Sequence, residues 1–224
     1  MERKREMRPK WLLGIAVFSA CATTCCAQYR VLPGKADSDG CEPATPARIC
    51  LGATGDAHCY APPNDKFEAP SNEAYIFGLE PNAKVVGHLD GKELTLFTAM
   101  FSGCGSGTLT HFSLLTVRDG EFVNLLPKVE LTNVSEFKLW NLPQFSNLPI
   151  FVTADLIWRT GETHFERHRY EIEVYVFDSK SHVYVERVHF DTKRKYSGGD
   201  ADVVNALEGE RPIILVKLRQ TLSH

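Results

Sequence analysis

The chain has 224 residues, 43% hydrophobic and 24% charged, which is room for one folded domain plus additional segments and too apolar for a wholly disordered chain. Its formal net charge of −3 hides an asymmetry: Arg3, Lys4, Arg5, Arg8 and Lys10 against Glu2 and Glu6 leave the first ten residues at +3, so the remainder carries −6. A mildly acidic body argues against nucleic acid as a partner and leaves a membrane accessible only through a leader or a lipid anchor.

Residues 1–27 read as an export leader, a signal peptide. A basic segment ends at Lys10, and a twelve-residue apolar run from Trp11 to Ala22 follows. That run is too short to span a bilayer, which takes about 20 residues, and it fits the hydrophobic region of a signal. Small residues at Ala20 and Ala22, and again at Cys25 and Ala27, offer two cleavage sites. Phe18, Ser19, Ala20 and Cys21 resemble a bacterial lipobox, which makes Cys21 a lipidation candidate; Phe18 departs from the aliphatic residue usual at its position. The leader predicts an exported protein, periplasmic or extracellular, either released or lipid-anchored.

Residues 28–73 are rich in Pro, Gly, Ala, Ser and Asp and show no sustained period, as in a linker. Cys41, Cys50 and Cys59, spaced nine apart, imply a stapled region instead of a free tail. With Cys104 they make an even set of four once the leader is removed, as expected where an oxidising compartment pairs every thiol. The expected pairing is Cys41 with Cys50 and Cys59 with Cys104.

Residues 74–221 read as an antiparallel β-domain. Strands are predicted over 74–79, 83–89, 93–101, 109–118, 121–126, 136–142, 150–158, 168–178, 182–191 and 212–219. The clearest alternation puts Ile150, Val152, Ala154, Leu156 and Trp158 on one face, and Tyr170, Ile172, Val174 and Val176 on one face of the next strand. Asp90 with Gly91 and Asp119 with Gly120 mark two-residue hairpins. Connections this short make the sheet antiparallel. One short helix is expected near the C-terminus, capped by Asp200, carrying Val203, Val204 and Leu207, and ended by Gly209. The run Ile213 to Val216 then reads as a strand buried on both faces. Leu96, Phe97, Thr98 and Ala99 recur as Phe151, Val152, Thr153 and Ala154, about 55 residues later, each followed by a Gly-containing loop and an alternating strand. The fold class is mostly β, an antiparallel meander forming a β-sandwich, an irregular barrel or propeller-like sheets.

Residues that suggest chemistry are few. His164, Glu166 and His168 alternate at the start of a strand, and two imidazoles with a carboxylate are a sensible divalent-metal set with an open position for water. Their spacing is not that of the helical zinc motif, and a polar sheet rim explains them equally. No other cofactor is expected. His111 and His189 lie on predicted strands and are further ligand candidates. Trp140 shares its parity with Glu136 and Lys138, so it marks a candidate recognition surface if it points outward; the alternative is a Trp packed under the loop over 141–147. No nucleophile elbow, phosphate loop or dinucleotide fingerprint is present. The reading is an exported non-enzymatic β-domain, a binding or envelope-associated module for a protein or glycan ligand. The alternatives are an exported metal-dependent hydrolase using the His164, Glu166 and His168 trio, and a small periplasmic enzyme inhibitor.

Overall fold

A computed structural model of the chain describes residues 29–36, 43–55, 57–63, 65–66, 74–103, 107–163, 166–197 and 205–223. The predicted leader with Cys21, and Cys41, Cys104 and His164, lie outside the described residues.

The elements follow the alternation in the sequence. Strands β1 (Tyr29–Leu32), β2 (Arg48–Leu51) and β3 (Cys59–Tyr60) form a small antiparallel sheet, and β4 (Asp65–Lys66) pairs with β5 (Ala74–Tyr75) in a short ribbon. The first large sheet is a meander of β6 (Leu79–Leu89), β7 (Lys92–Ser102) and β8 (Thr108–Arg118), with β9 (Glu121–Asn124) and β10 (Val129–Thr132) both paired to β8. The second is a meander of β11 (Glu136–Trp140), β12 (Ile150–Ile157), β13 (Arg167–Asp178) and β14 (Val183–Asp191), with β15 (Tyr196–Ser197) also on β13. Helix α1 (Ala206–Leu222) completes the order. Every strand pair is antiparallel, as the short connections predict. At both Asp-Gly hairpins the two turn residues have positive φ, 51° and 76° at Asp90 and Gly91, 51° and 82° at Asp119 and Gly120. That is the backbone a two-residue hairpin matched to strand twist requires.

Period two gives each large sheet two buried faces, and the molecule is therefore layered. Between the large sheets, Leu94, Leu96, Phe112 and Leu114 of the first meet Phe151, Tyr175 and Tyr184 of the second. The opposite face of the first sheet, with Phe97, Ala99 and Leu115, packs under Ala47, Ile49, Tyr29 and Val31 of the N-terminal region. The opposite face of the second, with Ile150, Val152, Ile172 and Val174, packs on Ile214 and Leu218 of α1. The arrangement is a β-sandwich flanked by a small sheet and a helix. No sheet closes into a barrel among the described residues.

The sequence echo has a structural counterpart. Leu96 in β7 and Phe151 in β12 both face the space between the sheets, whereas Phe97 and Ala99, like Val152 and Ala154, face outward into the flanking cores. Each strand is the second of its meander, and the fourth position of each sheet is split, between β9 and β10 in one and β14 and β15 in the other.

Two expectations are overturned. Cys50 is bonded to Cys59, not to Cys41, and Cys59 is therefore not joined to Cys104. The reason is register: β2 and β3 are neighbours, Cys50 stands directly opposite Cys59, and their Cα atoms are 4.0 Å apart. The C-terminal run is a helix of 17 residues, not a short helix followed by a strand. Its buried positions, Leu207, Glu210, Ile214 and Leu218, recur at the helical spacing of three and four. The outward Ile213 and Val216 are 48% and 50% exposed, and their apolar character disguised the period. Gly209 does not end the helix. It lies inside α1, where Tyr196 crosses so closely that a Cβ would sit 2.5 Å from its Cε1. Burial and a hydrogen bond to Glu210 push the Tyr196 hydroxyl up to about 12, so it is protonated and donates to Glu210 Oε1 at 2.6 Å.

Gly209→Ala should therefore lower stability even though alanine favours helix by about 1 kcal/mol. Overpacking against Tyr196 costs about 1–3 kcal/mol, and thermal melting of the variant should show a lower midpoint than the parent.

Candidate functional site

A groove with a volume of about 670 Å³ lies between the two large sheets. Alternation creates it. Positions of β6, β7 and β8 on the inner face point toward β11, and the sheets part where the inner side chains change from large and apolar to small and polar. Leu96, Phe112, Leu131, Phe137 and Leu139 supply an apolar floor. Thr98, Thr108, Thr110, Thr132 and Ser135 supply hydroxyls. Phe137 is 40% exposed, 4.6 Å from Phe112 between ring centroids and stacked on Phe151 at 6.0 Å, so an aromatic face is open to whatever enters. Two cations, Lys84 and Lys138, lie on the lining, and no Asp or Glu does among the described residues. Lys138 is held by Glu136 at 2.9 Å and Glu208 at 3.1 Å, whereas Lys84 is exposed on β6. A groove of this size and lining is the usual form of a small-molecule site.

One end of the groove is fixed by Asp155. Its Oδ1 accepts hydrogen bonds from Thr132 N at 3.2 Å, Thr132 Oγ1 at 2.8 Å, Leu156 N at 2.9 Å and the Ser135 hydroxyl. Thr132 ends β10 in one sheet and Ser135 precedes β11 in the other, so a single carboxylate on β12 fastens the crossover.

The predicted metal trio is only partly described. Glu166 is exposed and His168 is fully buried. Both ring nitrogens of His168 are engaged, Nδ1 with Glu162 Oε2 at 3.2 Å and Nε2 with the Thr163 carbonyl at 2.8 Å, and Trp158 lies 5.4 Å from the ring. His168 thus closes the loop after β12 onto the sheet. The Glu162 carboxyl is held below the usual range, first by the hydrogen bond from Lys195 Nζ at 2.9 Å and then by His168.

The other sequence candidates are placed as follows. Trp140 does lie on the side of Glu136 and Lys138, but α1 covers that side. Trp140 is 6% exposed, and the Arg211 guanidinium sits 5.2 Å over its ring, so it packs in the core and presents no recognition face. Of the two readings of Trp140 the packed one holds, with α1 among the elements that cover it. His111 is buried beneath the small sheet, with Nε2 3.0 Å from Ser113 Oγ, which in turn meets Tyr60 Oη at 2.9 Å.

His189 belongs to a group missed by sequence reasoning. It lies with Glu171 and Glu173 so that one ligand-type atom from each falls within 4.8 Å of the others. Burial raises the Glu173 carboxyl above the usual range. Burial alone would lower the His189 imidazole, but the hydrogen bond and charge of Glu171, with Glu186 and Glu173, raise it. The pairing of Glu173 with His189 across two strands was hidden because it depends on register, which the alternation of a single strand does not reveal.

No family model, curated protein or solved structure matches the chain. No helix among the described residues is long and apolar enough to cross a membrane.

Asp155→Ala should strand the donors at the crossover and lower stability by on the order of 2 kcal/mol. Chemical denaturation would measure this, and Asp155→Asn, which keeps one acceptor, should lose less.

Glu162 gives a pH prediction. Its folded pKa is depressed, so its contribution to stability is present above the ordinary Glu value and is lost as pH falls through the folded value. Glu162→Gln should therefore melt below the parent at neutral pH, and the two melting curves should converge in acid below the ordinary carboxylate range.

Proposed function

We propose that the chain is an exported binding module, without catalysis of its own, that holds an anionic amphiphile in the groove between its large sheets. The observation that carries this reading is the lining. An apolar floor with an open aromatic ring suits a hydrocarbon or ring-bearing body, hydroxyls along the sides suit a polar segment, and the exposed Lys84 on a lining that carries no Asp or Glu among the described residues suits an anionic end, Lys138 being already paired with Glu136 and Glu208. Within a body of net negative charge, that local sign favours an anion over a cation. Export is supported by the leader pattern over 1–27 and by a disulfide at Cys50 and Cys59, a bond that persists in oxidising compartments. The hydrolase built on His164, Glu166 and His168 has less support, because His168 already spends both ring nitrogens within the loop.

Titration of the purified protein with a fluorescent long-chain fatty acid and with its methyl ester tests the reading. The acid should bind saturably with a stoichiometry of one and more tightly than the ester. Thr110→Trp, which fills the groove, should abolish binding while leaving the circular dichroism unchanged. Lys84→Glu should weaken the acid by roughly fivefold, the scale of one exposed charge, and leave the ester unaffected. Absence of saturable binding, or binding indifferent to Thr110→Trp, would overturn the proposal.

A further inference from the structure

We propose that Glu171, Glu173 and His189 form a site for a first-row divalent transition-metal ion, zinc or manganese, on the inner face of the second large sheet. The site is separate from the groove lining and does not depend on what the groove holds.

The placement comes from strand register. Glu173 on β13 stands directly opposite His189 on β14, and Glu171 is two residues along the same face. Tyr175, two residues the other way, is buried between the sheets, whereas Glu171 and His189 are 43% and 44% exposed. The cover of the first sheet therefore ends over Glu173, and the group sits at its margin with access from solvent.

The group is organised before any ion arrives. Tyr175 Oη donates to Glu173 Oε2 at 2.7 Å, which orients that carboxylate and leaves Oε1 for a second partner. Partners of this kind, behind a ligand, fix its orientation and raise metal affinity. His189 Nε2 is 2.6 Å from Glu171 Oε1, and Nδ1 is 3.3 Å from Glu186 Oε1. The His189 ring is thus set among three carboxylates, and even a protonated ring would leave an excess of negative charge. A divalent ion in place of the proton between His189 and Glu171 corrects that excess.

A second observation points the same way. Thr153 on β12 is the cross-strand neighbour of Glu173, so Thr153, Glu173 and His189 form one row across three strands. Thr153 is 1% exposed, yet its hydroxyl has no hydrogen-bond partner among the described residues. Buried hydroxyls are normally paired. A metal-bound water, or Glu173 turned toward an ion, would give this one its partner.

The donor set selects the ion. One imidazole and two carboxylates suit zinc or manganese, whereas calcium takes six to eight oxygens. Ligand atoms around a tetrahedral ion at about 2.1 Å lie about 3.4 Å apart. The three atoms now fall within 4.8 Å, so exposed side chains need move by only about 1 Å. His189 binds as the neutral ring, with any second ring proton going to solvent.

Isothermal titration of chelator-treated protein with zinc chloride, and manganese titration followed by electron paramagnetic resonance, test the proposal. One ion should bind per chain. His189→Ala and Glu173→Gln should each weaken binding by more than tenfold, and Tyr175→Phe by roughly tenfold. Glu173→Gln removes a carboxylate that burial disfavours, so its apo form should melt no lower than the parent and serves as the folded control. Absence of binding at millimolar zinc and manganese would overturn the site. So would binding that survives Glu173→Gln, which would assign the ion to other ligands.

Discussion

The two large sheets are held in position by interactions of different character. The apolar contact between them is extensive but non-directional, and burial alone would tolerate several offsets of one sheet over the other. Asp155 removes that freedom. Three residues connect β10 to β11, and Thr132, just before that passage, and Ser135, its last residue, both hydrogen-bond to its carboxylate. Hydrogen bonds are directional, so Asp155 sets the angle at which the second sheet leaves the first. The groove, whose end is built from Thr132, Asn133 and Ser135, inherits its shape from that angle.

Much of the fold is legible from local pattern. Ile150 to Leu156 and Tyr170 to Val176 alternate because one face of each strand meets the helix layer, and the Asp-Gly pairs mark hairpins because few other residues accept positive φ there. What escaped is what depends on partners distant in sequence. The run Ile213 to Val216 has no polar residue to reveal a period, and only the contacts of Ile214 with the second sheet distinguish helix from strand. Glu136 makes the same point from the other side: its carboxylate accepts from Leu207 N at 3.0 Å and caps a helix 71 residues away, in place of a local capping residue. The cysteine pairing is hidden for a related reason. A stretch rich in Pro and Gly conceals the β2 and β3 hairpin, whose packing on Phe77 and Phe97 supplies the order that composition does not advertise.

The candidate sites were less legible than the fold. Sequence proximity points to His164, Glu166 and His168, but the buried His168 at the start of β13 serves here to anchor the preceding polar loop to the sheet. The groove is assembled from residues of five strands, alternate ones on β6, β7 and β8, and each contributes side chains that look ordinary in isolation. Threonines at 98, 108, 110 and 132 read as common strand residues until register brings them around one space. His189 and Glu173 are 16 positions apart and become neighbours only through the hairpin joining β13 to β14.

The outermost strand of the first sheet has a consequence for the molecule among its copies. β6 breaks register with β7 twice, between Leu79 and Asn82 and between Val85 and Gly87. Glu80 has a φ of 44°, and Pro81 lacks a backbone N–H. A β-strand edge with an even row of donors and acceptors recruits other strands. The two bulges and the proline interrupt the row, so an incoming strand meets no continuous ladder to extend. The edge is thereby protected from polymerisation by its backbone, and the side chains of β6 that face the groove are left free of that task.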